Sequence, residues 1–97
     1  MRLIKKYPKS LFAFNPEFLT EANYLQDFIK ADRTIIGATS DEVSRRVVAL
    51  YQQQFPKTPI FQTDPTTAEM VKYMSNCFLA TKVIFANEMY DICVKLG

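Results

Sequence analysis

At 97 residues, 48% hydrophobic and 13% aromatic, the chain is long and apolar enough for one small domain or a piece of a larger one. Its formal charge is +2 and its only basic cluster is Arg2, Lys5, Lys6 and Lys9, a solvated terminus rather than the dense basic face that nucleic acid requires. Histidine is absent, which removes the commonest general base and the commonest metal ligand, so no metal site is expected.

Taken in order, residues 1–10 read as a loop or a short helix end closed by Tyr7-Pro8. No apolar stretch follows the basic start, so no signal peptide is expected. Leu11-Phe12-Ala13-Phe14 is a short apolar run cut off by Asn15-Pro16. It has the two-faced apolar character of a buried strand in a parallel sheet. Residues 17–27, EFLTEANYLQD, lack clean periodicity and read as a loop with a helical turn. A helical turn there would bring Glu17 and Glu21 to one side, a mildly repulsive pair that stability does not explain.

Thr34-Ile35-Ile36-Gly37-Ala38 is the next strand, rich in β-branched residues. Thr39-Ser40-Asp41 supplies a cap. Residues 41–54 then carry Val43, Val47, Leu50 and Tyr51 at helical spacing, with Glu42, Arg45 and Arg46 outward. Pro59-Ile60-Phe61-Gln62-Thr63 is a third strand. Strand, loop, strand, helix, strand, helix is an α/β pattern.

From Pro65 to Leu96 nothing breaks a helix. Asp64 stands as N-cap, Pro65 takes the first helical position and Gly97 stops it. Such a rod is roughly 48 Å long. The preceding 64 residues cannot cover it, and its apolar residues, Met74, Phe78, Phe85, Met89 and Ile92 among them, spread over more than one stripe. Either a second copy or further protein is expected to pack there. Glu88, Asp91 and Lys95 form a solvated stripe. Cys77 and Cys93 lie sixteen positions apart, about 24 Å along the axis, and cannot bridge each other. They read as buried structural thiols of a reducing compartment. The most apolar stretch, residues 77–86, is interrupted by Lys82 and is too short to span a membrane. A soluble cytoplasmic protein is expected. A short polar row, Glu69, Lys72 and Asn76, is left on one side of the rod; taken without context it reads as solvated.

Two motifs change that reading. The stretch NPEFLTEANYLQDFIKADRTIIGA, from Asn15, resembles the UDP-glucose/GDP-mannose dehydrogenase family, whose pattern is NPEFLxEG…DF…P-x-R-(I/V)-(I/V)-I-G. Residues 68–82, AEMVKYMSNCFLATK, resemble the same family's (A/S)E-xx-K-xx-x-N-xx-L-A-x-(K/R) helix, and Phe85, Asn87 and Glu88 continue it. Order and spacing agree, and the likeness runs from about Leu11 onward.

The resemblance implies an α/β fold. Residues 1–63 would be the C-terminal part of a Rossmann-like NAD-binding domain, with about three short strands and one helix. Residues 64–97 would be one long helix connecting to the central domain and building a homodimer. It implies NAD-dependent oxidation of the C6 alcohol of a UDP-sugar to a carboxylate, by two hydride transfers through a cysteine thioester. Glu17 would be the general base of thioester hydrolysis. Lys72 and Asn76 would stabilise the oxyanion and touch the sugar. Glu17, Phe18, Leu19, Thr20 and Glu21 would line the substrate, with Glu21 also beside the nicotinamide of NAD. The residue types suit this chemistry. A positioned ammonium and an amide stabilise charge as it develops on oxygen, and Lys72 and Asn76 sit one turn apart.

The sequence departs from the family in four places. Its two glycines, Gly37 and Gly97, build no G-x-G-x-x-G loop. Neither the family's GGxCxPKD cysteine segment nor its STVP threonine is present, and Ala22 replaces a glycine. The chain thus reads as an internal slice, expected to be inactive by itself. The alternative is a catalytically inert dimerisation module built on the long helix.

Overall fold

The computed structural model describes residues 2–97. Four helices and three strands follow in the order α1 (Arg2–Lys6), β1 (Ala13–Phe14), α2 (Tyr24–Ile29), β2 (Thr34–Ala38), α3 (Asp41–Gln54), β3 (Ile60–Thr63) and α4 (Pro65–Leu96). The strands form one mixed sheet in the order β1-β2-β3. β2 runs parallel to β3, with Ile35 opposite Phe61 and Ile36 opposite Gln62. β1 runs antiparallel to β2, Ala13 opposite Ala38 and Phe14 opposite Gly37.

β2 is the core because it is the central strand and is covered on both faces. Successive side chains alternate between faces. Ile36 is fully buried, and its register neighbour Gln62 accepts a hydrogen bond from the Ser44 hydroxyl of α3 at 2.7 Å. α3 therefore lies on that face. α4 lies on the other, where Gly37 meets it. A Cβ at Gly37 would fall 2.6 Å from the Ala68 Cβ, 2.8 Å from the Asp64 carbonyl oxygen and 2.9 Å from the Pro65 Cα. Two of these are backbone atoms, which cannot swing away. Glycine is what lets the start of α4 cross the sheet this closely.

Both long helices are capped as their sequences predict. Ser40 Oγ accepts from the Val43 amide at 3.3 Å. Asp64 accepts from the Thr67 amide at 2.9 Å and from the Thr67 hydroxyl at 2.5 Å, Pro65 follows it, and Gly97 closes the helix with a φ of 89°. The Thr67 hydroxyl bond, with the amide bond behind it, holds the Asp64 carboxyl below its ordinary value.

Four expectations are corrected. The run at Leu11 yields a two-residue antiparallel edge strand, and Leu11 itself is exposed. Pro16 ends the extended stretch; beyond the paired residues, Phe12 also bonds across, its carbonyl accepting from the Thr39 amide at 3.0 Å and its amide donating to the Thr39 hydroxyl at 3.2 Å. Glu17 and Glu21 share no helical turn, because α2 begins only at Tyr24. Leu50, placed on the inner face of α3, is 59% exposed. Cys77 and Cys93 are exposed, not buried. Both lie on the part of α4 that leaves the sheet.

That departure sets the molecule's shape. Its extents are 61 × 32 × 19 Å and its radius of gyration is 17.9 Å, against about 12–13 Å for a compact chain of this length. Only Ala68 of α4 is buried, and every residue from Asn76 onward is exposed.

Candidate active site

The segment following β1 enters no ladder. Among the described residues no backbone–backbone hydrogen bond ties residues 15–19 to the sheet. Side chains hold the segment instead. The Lys72 ammonium, from the second turn of α4, donates to the Glu17 carbonyl oxygen. The same ammonium lies over the Phe18 ring, 5.3 Å from its centroid, and the Arg33 guanidinium carbon lies over that ring at 4.7 Å. Each is a cation–π contact, with positive charge on the negative face of the ring. At the far end, Asp27 of α2 accepts from the Thr20 amide at 2.9 Å and from the Thr20 hydroxyl at 2.6 Å. The hydroxyl bond is the main reason the Asp27 carboxyl titrates below its ordinary value; the amide bond adds to it.

The segment walls a cleft of about 430 Å³. Glu17, Phe18, Leu19 and Thr20 form one side, with Arg33 at the entry to β2 and Tyr51 and Phe55 at the end of α3. Phe28, which also lines the cleft, meets Phe55 edge to face, centroids 5.5 Å apart. The Asn15 side-chain nitrogen is buried at this wall without a hydrogen-bond partner among the described residues.

The two motifs of the sequence thus meet in part. Glu17, Phe18, Leu19 and Thr20 stand together in the cleft wall, and Lys72, half-buried, reaches across to Glu17. The reach is to the Glu17 backbone; its carboxylate accepts no hydrogen bond among the described residues. Asn76 is one turn further along α4, exposed, and Glu21 is exposed in the turn before α2; neither lines the cleft. Among the described residues no group of three or more His, Cys, Asp or Glu is placed to hold a metal ion. Arg33 and Asp27 received no role from sequence reasoning. Both sit inside the quoted pattern, at the D of DF and the R of P-x-R, and that was the available signal.

Comparison with known proteins places the chain in a family. Residues 5–55 match the UDP-glucose/GDP-mannose dehydrogenase family, NAD binding domain, and residues 66–97 match the family's central domain. The chain is 44% identical over 88 residues to a UDP-glucose 6-dehydrogenase of Rickettsia felis, covering 88% of this chain and 19% of that protein. It is 44% identical over 85 residues to one of Bacillus subtilis, with the same coverage. Among solved structures, a UDP-glucose dehydrogenase from Pyrobaculum islandicum superposes with a TM-score of 0.75 at 43% identity, over 81% of this chain and 18% of that one. A GDP-mannose dehydrogenase from Pseudomonas aeruginosa superposes with a TM-score of 0.71 at 34% identity, over 78% of this chain and 17% of that one. The chain therefore spans about a fifth of the length of the relatives it matches. With two consecutive domains of one family matched along the chain, and the two motifs joined through Lys72 and Glu17, the protein belongs to the UDP-glucose/GDP-mannose dehydrogenase family.

Proposed function

We propose that this chain supplies part of the active site of a cytoplasmic NAD-dependent UDP-sugar 6-dehydrogenase, with UDP-glucose as substrate and UDP-glucuronate as product. Residues 1–63 contribute the end of the NAD-binding domain. Residues 64–97 contribute the helix that leads into the central domain and pairs two subunits. The observation that carries this reading is the contact of Lys72 with Glu17, which brings together motifs 55 residues apart in sequence.

In the hydrolytic step the Glu17 carboxylate takes a proton from water as the water oxygen attacks the thioester carbonyl, and the carbon–sulfur bond then breaks to release the thiolate of a cysteine that is not among these 97 residues. The Lys72 ammonium and the Asn76 amide donate to the oxygen on which negative charge then grows. Phe18, Leu19 and Thr20 would line the sugar. In the complete enzyme Glu21 would lie beside the nicotinamide of NAD, which would supply the hydride acceptor.

The residues present do not complete a binding site for NAD. Gly37 is occupied in letting α4 cross the sheet, and Gly97 lies at the end of that helix. No glycine remains for a pyrophosphate to approach. Accordingly the 97 residues alone form no NADH from NAD and UDP-glucose, and turnover by the isolated chain would overturn that part of the proposal. Within a complete enzyme carrying these residues, Lys72→Met and Asn76→Ala each lower kcat by about 10²–10³-fold. An unchanged kcat in the lysine variant would remove Lys72 from the mechanism.

A further inference from the structure

The segment at residues 15–19 presents a physical problem. It carries the proposed base and lines the cleft, yet no backbone ladder fixes it. A site left to a loose segment loses the sub-ångström placement that catalysis needs, so something rigid must anchor it. β2 is the most rigid element available, since four of its five residues are buried. Arg33 immediately precedes β2, and the next residue, Thr34, is tied to the far strand through its amide bond to the Pro59 carbonyl at 2.9 Å. The Arg33 side chain is itself held. One guanidinium nitrogen donates to both carboxylate oxygens of Asp32, at 3.0 and 2.9 Å. The guanidinium lies over the Phe18 ring, and Lys72 lies over the same ring from α4.

We propose that Arg33 is a positioning residue of the candidate site. By holding the Phe18 ring against the start of β2, it fixes the surface on which the Lys72 ammonium rests, and with it the place of the Glu17 carbonyl that the ammonium contacts. The chain of contact runs Asp32, Arg33, Phe18, Lys72, Glu17. It converts the position of a buried strand into the position of two side chains on an unladdered segment and a helix. Two cations against one ring would repel without compensation; the Asp32 carboxylate beside Arg33 and the Glu17 carbonyl beside Lys72 provide it. Arginine suits the place because its flat guanidinium stacks on an aromatic face while a nitrogen stays bound to the carboxylate. The inference rests on the reading of Lys72 and Glu17 as active-site residues, but its geometric content is measurable without catalysis.

The test is proton–carbon NMR of the 97-residue chain with labelled lysine. Ring current from Phe18 shields the Lys72 ε-methylene, and Phe18→Leu, by removing the ring, identifies the shielded signal. Arg33→Gln is expected to move that signal most of the way to its position in the Phe18→Leu chain, whereas Arg33→Lys, which keeps a cation over the ring, restores part of the shielding. Lys82, over Phe78 on the projecting part of α4, is the internal reference and does not move. A Lys72 signal unaffected by Arg33→Gln overturns the proposal. In a complete enzyme carrying these residues, Arg33→Gln lowers kcat with little change in KM, and Arg33→Lys recovers part of the loss. If Lys72→Met abolishes turnover while Arg33→Gln changes neither signal nor kcat, the positioning role fails and the catalytic reading stands. If Arg33→Gln moves the signal while Lys72→Met leaves turnover intact, the catalytic reading fails and the anchoring of Lys72 by Arg33 stands.

Discussion

The first three turns of α4 and the rest of that helix obey different rules. Between Pro65 and Ser75 the helix has an inner face: Ala68 is buried, and Glu69, Val71, Lys72 and Ser75 are half-buried against the sheet. Beyond Asn76 it has none. Phe78 is 65% exposed, Phe85 64% and Met89 40%. Hydrophobic content does not separate the two parts, since the projecting part is at least as apolar. The partner separates them. The docked turns have a glycine-lowered strand beneath them, and among the described residues nothing packs over the projecting turns. A large apolar surface of this kind marks an interface, and in the proposed enzyme a second subunit and the central domain would cover it.

The comparison is open to breaking at either end. The largest effect is expected at Gly37. Gly37→Ala pushes a Cβ into backbone atoms of Asp64 and Pro65 and should destabilise the chain by about 1–3 kcal/mol, read as a lower urea midpoint. An unchanged midpoint would mean that α4 is free to slide on the sheet and is not docked.

Asp64→Ala comes next, through loss of the cap on the first turn. Its effect should depend on pH in a definite direction. Hydrogen bonds from Thr67 depress the folded-state pKa of Asp64. Its contribution is therefore present above the ordinary carboxylate pKa of about 3.9 and is lost as pH falls through the lower folded value. Wild type and Asp64→Ala should differ at neutral pH and converge in acid. A difference that persists at the lowest pH would assign the effect to something other than the carboxylate.

The smallest effect is expected at the far end. Phe85→Ser should alter the stability of the monomer by no more than about 0.5 kcal/mol, as for other exposed sites. If copies pair through α4, the unfolding midpoint instead rises with protein concentration and this substitution removes the dependence. A strict monomer destabilised strongly by Phe85→Ser would contradict the exposure of that helix end.

Much of the architecture was legible before any coordinates. The bounds of α3 and α4, both N-caps, the β-branched strand at Thr34 and the chain-end glycine all follow from local chemistry, in which a residue's role depends on neighbours within four positions. The candidate site was legible only through the two family motifs. What local chemistry missed was decided at longer range. Leu11–Phe14 has the composition of a central strand, yet it occupies an edge, because edge and centre are properties of the sheet. Leu50 has the spacing of an inward residue, yet it is exposed, because spacing along a helix does not say what packs against it. Cys77 and Cys93 have the character of core thiols, yet both are exposed, because no described residue packs over that part of α4.

The sequence by itself determined that a helix of this length forms, where it starts and stops, and that the chain carries two motifs of the family. Capping, backbone dihedral preference and side-chain type act over a few residues and need no partner. Only the tertiary structure decided that Lys72 reaches the Glu17 carbonyl, that Arg33 shares the Phe18 ring with it, and that Gly37 is the point where α4 crosses β2. Each of these is a contact between segments far apart along the chain, and such contacts are fixed by how elements pack, which no single stretch of sequence contains.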